Sequence, residues 1–360
     1  MQTVIIINIL VVVLAYFSKN KQTRSLFKVA FLIIFLLTSL RFNFGTDYIN
    51  YYKTFNIVNQ SFSITSINFG YFDLERAWII LNYIFKPIGF FGFIIVLSAF
   101  LCYTYYALIK KYVDPKYYWL AIFIYVFTFD IMLVQFSAIR QALAIAIFIH
   151  SVKYLNEKRN RVLYILLIII AGMFHTSAYF MLPFVVFTFK KIRESKIIGV
   201  VILTVFFGLM FFGNRYLSQL IEISSFLSGE RYLVRFASEV SSKITLIGSI
   251  AWSSLLFILL YYSRFQQKNR KIFFYIASLH SLVYVITPVV FLSGRIGYYF
   301  IALSTIVYPL IIQQEKRFFI RIGLIGVFIT FILYRLTIFF KLDWVITGYS
   351  EYHTIFSEIF

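Results

Sequence analysis

Four short stretches hold most of the side chains able to do chemistry. They are "RFNFGTDYINYY" with Arg41, Asp47, Tyr48 and Tyr52, "FSAIRQALAIAIFIHS" with Arg140 and Gln141, "GMFHTSAY" with His175, and "GRIGYYF" with Arg295 and Tyr299. A guanidinium is a planar fork that grips phosphate or carboxylate oxygens at two points, whereas an ammonium is a compact point charge. Anchoring alone does not require an arginine and a carboxylate as close as Arg41 and Asp47 at the end of an apolar run. Tyr48, Tyr51 and Tyr52 near Asp47, with Tyr298 and Tyr299 near Arg295, offer flat rings bearing a hydroxyl, a shape that packs on a sugar face. Lipid contact and interface belts are the competing and commoner role for such rings. His175, followed by Thr176 and Ser177, suits a general base and a cap on a broken helix equally well. His150, His280 and His353 are assigned to packing or surface.

Arg140 stands among Ala138, Ala142 and Ala146, which recur every fourth residue and let a neighbouring helix approach closely. Arg140 and Gln141 then lie beside a packed seam, and the buried charge needs a partner: Asp47, Asp130 or a phosphate. The acids Asp47, Asp73, Glu75, Asp130, Glu222, Glu230, Glu239 and Asp343 show no metal-ligand spacing, so no metal is expected. A single cysteine, Cys102, gives no disulfide framework. Without a glycine-rich phosphate loop, paired cysteines or a nucleophile elbow, no cofactor is expected either.

The elements that must position these residues are membrane helices. The 360 residues are 61% hydrophobic and 13% charged, with a mean hydropathy of +0.85, far from a soluble domain's proportions. A formal net charge of +20 would suggest nucleic acid in a soluble chain. Here cytoplasmic loops rich in Lys and Arg account for it, and no nucleic acid is expected. Apolar runs near bilayer length fall at residues 3–17, 25–40, 88–109, 117–134, 137–154, 162–189, 197–213, 245–263, 272–292, 295–313 and 319–340. The first lacks a basic flank and a cleavage site, which favours a retained helix over a signal peptide. "YFDLERAWIILNYIFKPIG" reads as an interfacial amphipathic helix with Phe72, Trp78, Ile79 and Tyr83 on one stripe, stopped near Pro87.

Basic loops set the orientation, with "SKNKQTRSLFK" inside and the N-terminus outside. Residues 162–189 are flanked by "NEKRNR" and "KKIRESK". Crossing twice, with a fold-back near Gly172 to Thr176, returns every strongly basic loop to the cytoplasm. The expected fold is all-α, one integral membrane domain over 1–360 with about 10 to 12 transmembrane or re-entrant helices. Loops 41–87 and 214–243 and the tail 341–360 face outward. On that side arginine outnumbers lysine: Arg41, Arg76, Arg140, Arg215, Arg231, Arg235, Arg295 and Arg335 against Lys53, Lys86, Lys243 and Lys341. The bias points to an anionic ligand.

"RFNFGTDYINYY", "FSAIRQALAIAIFIHSVKYL", "AGMFHTSAYFMLP" and "GRIGYYF", in that order along most of the chain, resemble the EpsG family, related to the Wzy-type O-antigen and capsule polymerases. The resemblance implies an integral-membrane glycosyltransferase of the bacterial inner membrane, with its active site facing outward. Its substrate would be a polyprenyl-diphosphate-linked oligosaccharide held at the membrane lipid, and a chain-length regulator is a further candidate partner. In that chemistry Arg140, Arg295 and Arg41 would stabilise the departing diphosphate. Asp47 or His175 would take the acceptor's proton, and Gln141, Tyr48, Tyr52 and Tyr299 would contact substrate. A flippase that carries the lipid-linked unit across, or a ligase of the O-antigen type, is the alternative.

Overall fold

The computed structural model describes residues 1–60, 63, 67, 69, 74–156, 158–195, 197–212, 246–266, 268–286, 292–341, 348–349 and 351–356. Phe72, Asp73, Asp343, the expected outer loop 214–243 with its arginines, and most of the tail from 342 lie outside them. The helices are α1 (Gln2–Phe17), α2 (Ser25–Ser39), α3 (Tyr48–Asn59), α4 (Arg76–Ile84), α5 (Gly89–Tyr112), α6 (Tyr118–Phe127), α7 (Phe129–Phe136) and α8 (Ile139–Val152). After these come α9 (Arg161–Phe174), a 3₁₀ segment (Thr176–Thr188), α10 (Lys190–Arg193), α11 (Ile197–Phe212), α12 (Leu246–Ser263) and α13 (Lys268–Ile286). Last are α14 (Leu292–Ile301), α15 (Ser304–Gln314) and α16 (Phe318–Phe339). Two short strands, β1 (Arg41–Phe42) and β2 (His353–Thr354), pair antiparallel.

Helix dominates because the apolar runs leave few backbone groups a partner other than their own chain, the condition a bilayer imposes. Among the described residues, Lys86–Tyr112 and Phe318–Phe339 are long and apolar enough to cross a membrane alone. Counting each bent pair as one span raises the total to four. The other apolar helices are shorter, so the expected 10 to 12 rest on elements of less than full bilayer length.

Two of the expected single spans are broken. The run 117–134 bends by 56° between α6 and α7, and 295–313 bends by 44° between α14 and α15. At the first break Thr128 adopts an extended ψ of 106°, and its carbonyl starts the next helix by accepting from Met132 N at 3.2 Å. Asp130 sits in the first turn of α7, where the exposed N–H groups of a helix favour negative charge.

Internal contacts divide the chain into two units, Met1–His150 with Leu167–Tyr179 and Tyr308–Phe360, and Ser151–Leu166 with Phe180–Val307. In the first, α1 packs on α2 and α6, α2 on α5, and α16 on α6 and α7. The stripe expected to float at an interface instead faces this unit's interior. Trp78 and Ile79 are fully buried, and Trp78 meets Tyr51 and Phe93 at ring-centroid distances of 5.4 and 5.2 Å. An aromatic cluster from α3 and α5 covers that face and takes the place of lipid. In the second unit α13 is central, packed by α11, α12 and α14.

The stretch 162–189 folds back at His175. Tyr164 on α9 donates its hydroxyl to the Met181 carbonyl on the 3₁₀ segment at 2.5 Å, near the proline at 183 that cannot donate to the ladder. At the base, the Arg193 guanidinium donates to the carbonyls of Leu155, at 3.3 Å, and Asn156. The two basic clusters flanking the hairpin thus lie at one end. Its turn is closed by Gly172, where a Cβ would overlap the Tyr179 ring.

Candidate functional site

The hairpin turn exposes the backbone N–H at the start of the 3₁₀ segment, and a carboxylate meets it. Glu75 Oε1 accepts from Thr176 N at 3.2 Å, while its other oxygen is ion-paired with the Arg140 guanidinium. Glu75 has an extended backbone as the residue preceding α4, so its side chain projects away from that helix rather than capping it. Arg140 is in the first turn of α8. One carboxylate therefore joins three segments far apart in sequence: the entry to α4, the start of α8 and the hairpin turn.

Around this junction the polar groups continue. Arg140 also engages the Tyr51 hydroxyl, and Asp47, one turn before Tyr51 on α3, acts on the same ring electrostatically. Burial pushes the Tyr51 phenol above its ordinary range, against the opposing pull of Arg140, so it is protonated at neutral pH. His175 is buried, with Nδ1 at 2.6 Å from Ser177 Oγ, a bond that fixes the imidazole's orientation in the turn. Gln141, next to Arg140, is also buried. The pair itself keeps some exposure, 19% for the Arg140 side chain and 15% for Glu75.

Sequence reasoning offers Asp47, Asp130 or a phosphate as the partner of Arg140. The partner is Glu75, and Asp130 is committed elsewhere, accepting from Arg335 Nη1 at 2.7 Å. Position explains this: Asp130 opens α7 behind the Thr128 break and faces α16, where the Arg335 guanidinium also lies 4.7 Å from the Phe129 ring centroid. Glu75, one of the acids named from the sequence, and Tyr51, one of the rings named there, are not recognisable from the sequence as partners of Arg140. The available signal was a carboxylate directly at the start of an apolar helix, where a helix boundary places side chains in a fixed direction.

Arg41 is built differently. It is 2% exposed, and its guanidinium donates to the carbonyls of Thr38 and, at 3.2 Å, Gln135. These belong to the last turns of α2 and α7, where carbonyls lack helical partners. Its own carbonyl accepts from the Tyr48 hydroxyl at 3.1 Å. Burial lowers the Arg41 pKa to about 10, which leaves it charged at neutral pH. The surrounding segment is locked: Gly45 has φ +112°, and a Cβ there would stand 2.5 Å from the Phe136 carbonyl oxygen. The C-terminal segment straps over it, Ile355 N donating to Leu40 O at 2.9 Å and Gly45 N to Gly348 O at 3.0 Å. The Tyr349 hydroxyl lies 2.6 Å from Ser137 Oγ and 3.0 Å from Leu133 O.

The first unit thus pairs Arg140 with Glu75 at the turn that carries His175, with Asp47 acting on the Tyr51 that Arg140 also engages, while Arg41 and Tyr48 form a separate buried knot. Tyr52 is at the surface of α3, its ring 5.2 Å from Phe90. Arg295 and Tyr299 are in the second unit on α14, Tyr299 fully buried and Arg295 half-buried. His150 bonds Thr104 Oγ1 at 3.0 Å, and His280 packs on Trp252 with ring centroids 4.7 Å apart, both in packing roles.

No curated protein and no solved structure matches the chain. The family model described as EpsG family matches residues 24–354, a span that includes all four stretches of candidate residues. The chain belongs to the EpsG family, a Wzy-type polymerase-like family, and is a membrane protein with a polymerase-like role in polysaccharide biosynthesis.

Proposed function

We propose that the protein is a membrane glycosyltransferase that lengthens a polysaccharide, moving the growing glycan from its polyprenyl-diphosphate carrier to an incoming lipid-linked repeat unit at the outer face of the membrane. The observation that supports this reading is the carboxylate of Glu75 held jointly by the Arg140 fork and the Thr176 N–H. A fork and a backbone donor that share one carboxylate are also the donors a phosphate group takes, with more charge to offer them.

In this reading the acceptor hydroxyl oxygen attacks the anomeric carbon of the growing chain. The bond from that carbon to the diphosphate oxygen breaks, and its electron pair leaves with the lipid diphosphate. Arg140, with the Thr176 N–H, stabilises the charge that develops on the leaving oxygen. Asp47 or His175 accepts the hydroxyl proton. Arg295, Gln141, Tyr52 and Tyr299 are proposed substrate contacts. Arg41 and Tyr48, in their separate buried knot, hold the fold rather than the ligand.

The test is purified full-length protein incubated with lipid-linked repeat units and resolved by product length. The expected result is a ladder of longer chains. Chains no longer than the input under every condition, divalent metal included, would overturn the reading. Sidedness is tested separately: Thr176 is exposed at the turn, and a Thr176→Cys variant in intact cells is expected to react with an impermeant thiol label from outside. Labelling from the cytoplasmic side alone would reverse the assignment.

A transporter reading draws on a different feature, the Asp130–Arg335 pair at a broken span, since charges at discontinuous helices line transport paths. It calls for single repeat units trapped inside when Asp130 and Arg335 are replaced. Polymerisation calls for single units delivered outside when Arg140 is replaced.

A further inference from the structure

The second unit contains a groove of about 560 Å³ between the 3₁₀ segment, α10, α11 and α13, within the roughly 300–1,000 Å³ typical of small-molecule sites. Its walls are hydrocarbon and aromatic, with Phe184, Phe187, Ile198, Val201, Ile202 and Leu279 among them. The polar groups are Lys191, Ser195 and Tyr275. Two of them meet where the segment after α10 reaches α13, the Tyr275 hydroxyl lying 3.4 Å from the Ser195 carbonyl, and Lys191 lines the same groove from α10. Lys271 Nζ stands 5.4 Å from the Tyr275 ring centroid, adding a second cation at that mouth. Lys190 and Lys191 are exposed, while Arg193 is occupied by backbone carbonyls. Glu194 is the one acid among the described residues of α10 and the turn after it.

We propose that this groove holds an anionic phospholipid, one acyl chain lying along the apolar walls and the headgroup phosphate between Lys191 and Lys271. Charge selects the occupant: the cations at the mouth leave a phosphate favoured over a zwitterion, and the walls offer nothing to a polar ligand. Location agrees with it. The mouth belongs to the basic hairpin base that the positive-inside rule assigns to the cytoplasm, and that leaflet carries anionic lipid attracted by such clusters. Val201 is 52% exposed and Val186 41%, so the groove opens along an apolar face from which a lipid can enter sideways. The inference is independent of glycan polymerisation.

Native mass spectrometry of the full-length protein, taken from vesicles of equal phosphatidylglycerol and phosphatidylcholine, tests it. The wild type is expected to retain phosphatidylglycerol selectively. Each cation is worth about a fivefold preference, so the double variant Lys191→Ala with Lys271→Ala should lose roughly thirtyfold in selectivity. The Lys191→Arg and Lys271→Arg pair should keep it. Val201→Trp, which fills the groove from an exposed position and spares both lysines, should reduce retention of the lipid itself and carries the test if the alanine protein fails to fold. Equal retention of both lipids by the wild type would overturn the proposal. So would a double alanine variant with unchanged selectivity, or displacement of phosphatidylglycerol by an equimolar polyprenyl phosphate.

Discussion

Arg41 and Arg140 both stand beside helix ends in the first unit, yet different groups close round them. Arg41 is surrounded by the carbonyls of Thr38 and Gln135 and by the rings of Tyr48 and Phe136. Those acceptors are backbone and cannot leave without unwinding α2 or α7. Arg140 is held by Glu75, a side chain on a chain segment between elements, and the pair retains solvent contact. Carbonyls at helix ends carry partial charge, so they hold a guanidinium permanently without neutralising it. A carboxylate neutralises it, but can be exchanged for another anion. The difference separates an arginine that holds the fold from one available to a ligand.

The largest effect expected from this contrast is on stability. Arg41→Ala should cost about 2–5 kcal/mol, because it leaves the buried carbonyls of Thr38 and Gln135 without their donor and opens a cavity, read as loss of monodisperse protein or a large drop in unfolding temperature. A variant as stable as wild type that nonetheless fails to extend glycan would erase the distinction. Arg140→Lys should instead fold normally and extend chains about 10²–10³ times more slowly, because an ammonium lacks the bidentate fork. Full activity in that variant would reduce Arg140 to a structural cation. The smallest effect is Glu75→Gln, which keeps an acceptor for Thr176 N but removes the competing charge. Binding of a lipid diphosphate should tighten about fivefold, the value of one partly exposed ion pair. Weaker binding would show that Glu75 assists the ligand rather than standing in for it.

How far the sequence disclosed this arrangement depended on which force set each part. Apolar runs gave helix positions within a few residues, since burial of backbone polar groups in a bilayer demands helix there. Opposed basic flanks disclosed the fold-back at His175, because charge asymmetry alone decides that geometry. The break at Thr128 was hidden: 117–134 is uninterrupted in hydropathy, and the bend is stabilised by an ion pair to α16, more than two hundred residues away in sequence. Arg140 was legible from its alanine stripe, but Glu75 was not, because "DLERAW" reads as the polar edge of a surface helix. The backbone partners of Arg41 are hidden for a related reason. Nothing local tells that two helix ends meet around it, so a phosphate and a pair of carbonyls leave the same trace in the sequence.

Helix α9 is short for a bilayer. At about 1.5 Å per residue its 14 residues rise some 21 Å, against a hydrocarbon thickness of about 30 Å. In the proposed reading α9 is then too short to carry the Thr176 turn across the whole hydrocarbon layer, and a diphosphate would meet that turn short of the headgroups. A carrier lipid of the proposed kind would then keep its tail in the bilayer while its diphosphate reaches the turn, and the sugars alone would rise toward water.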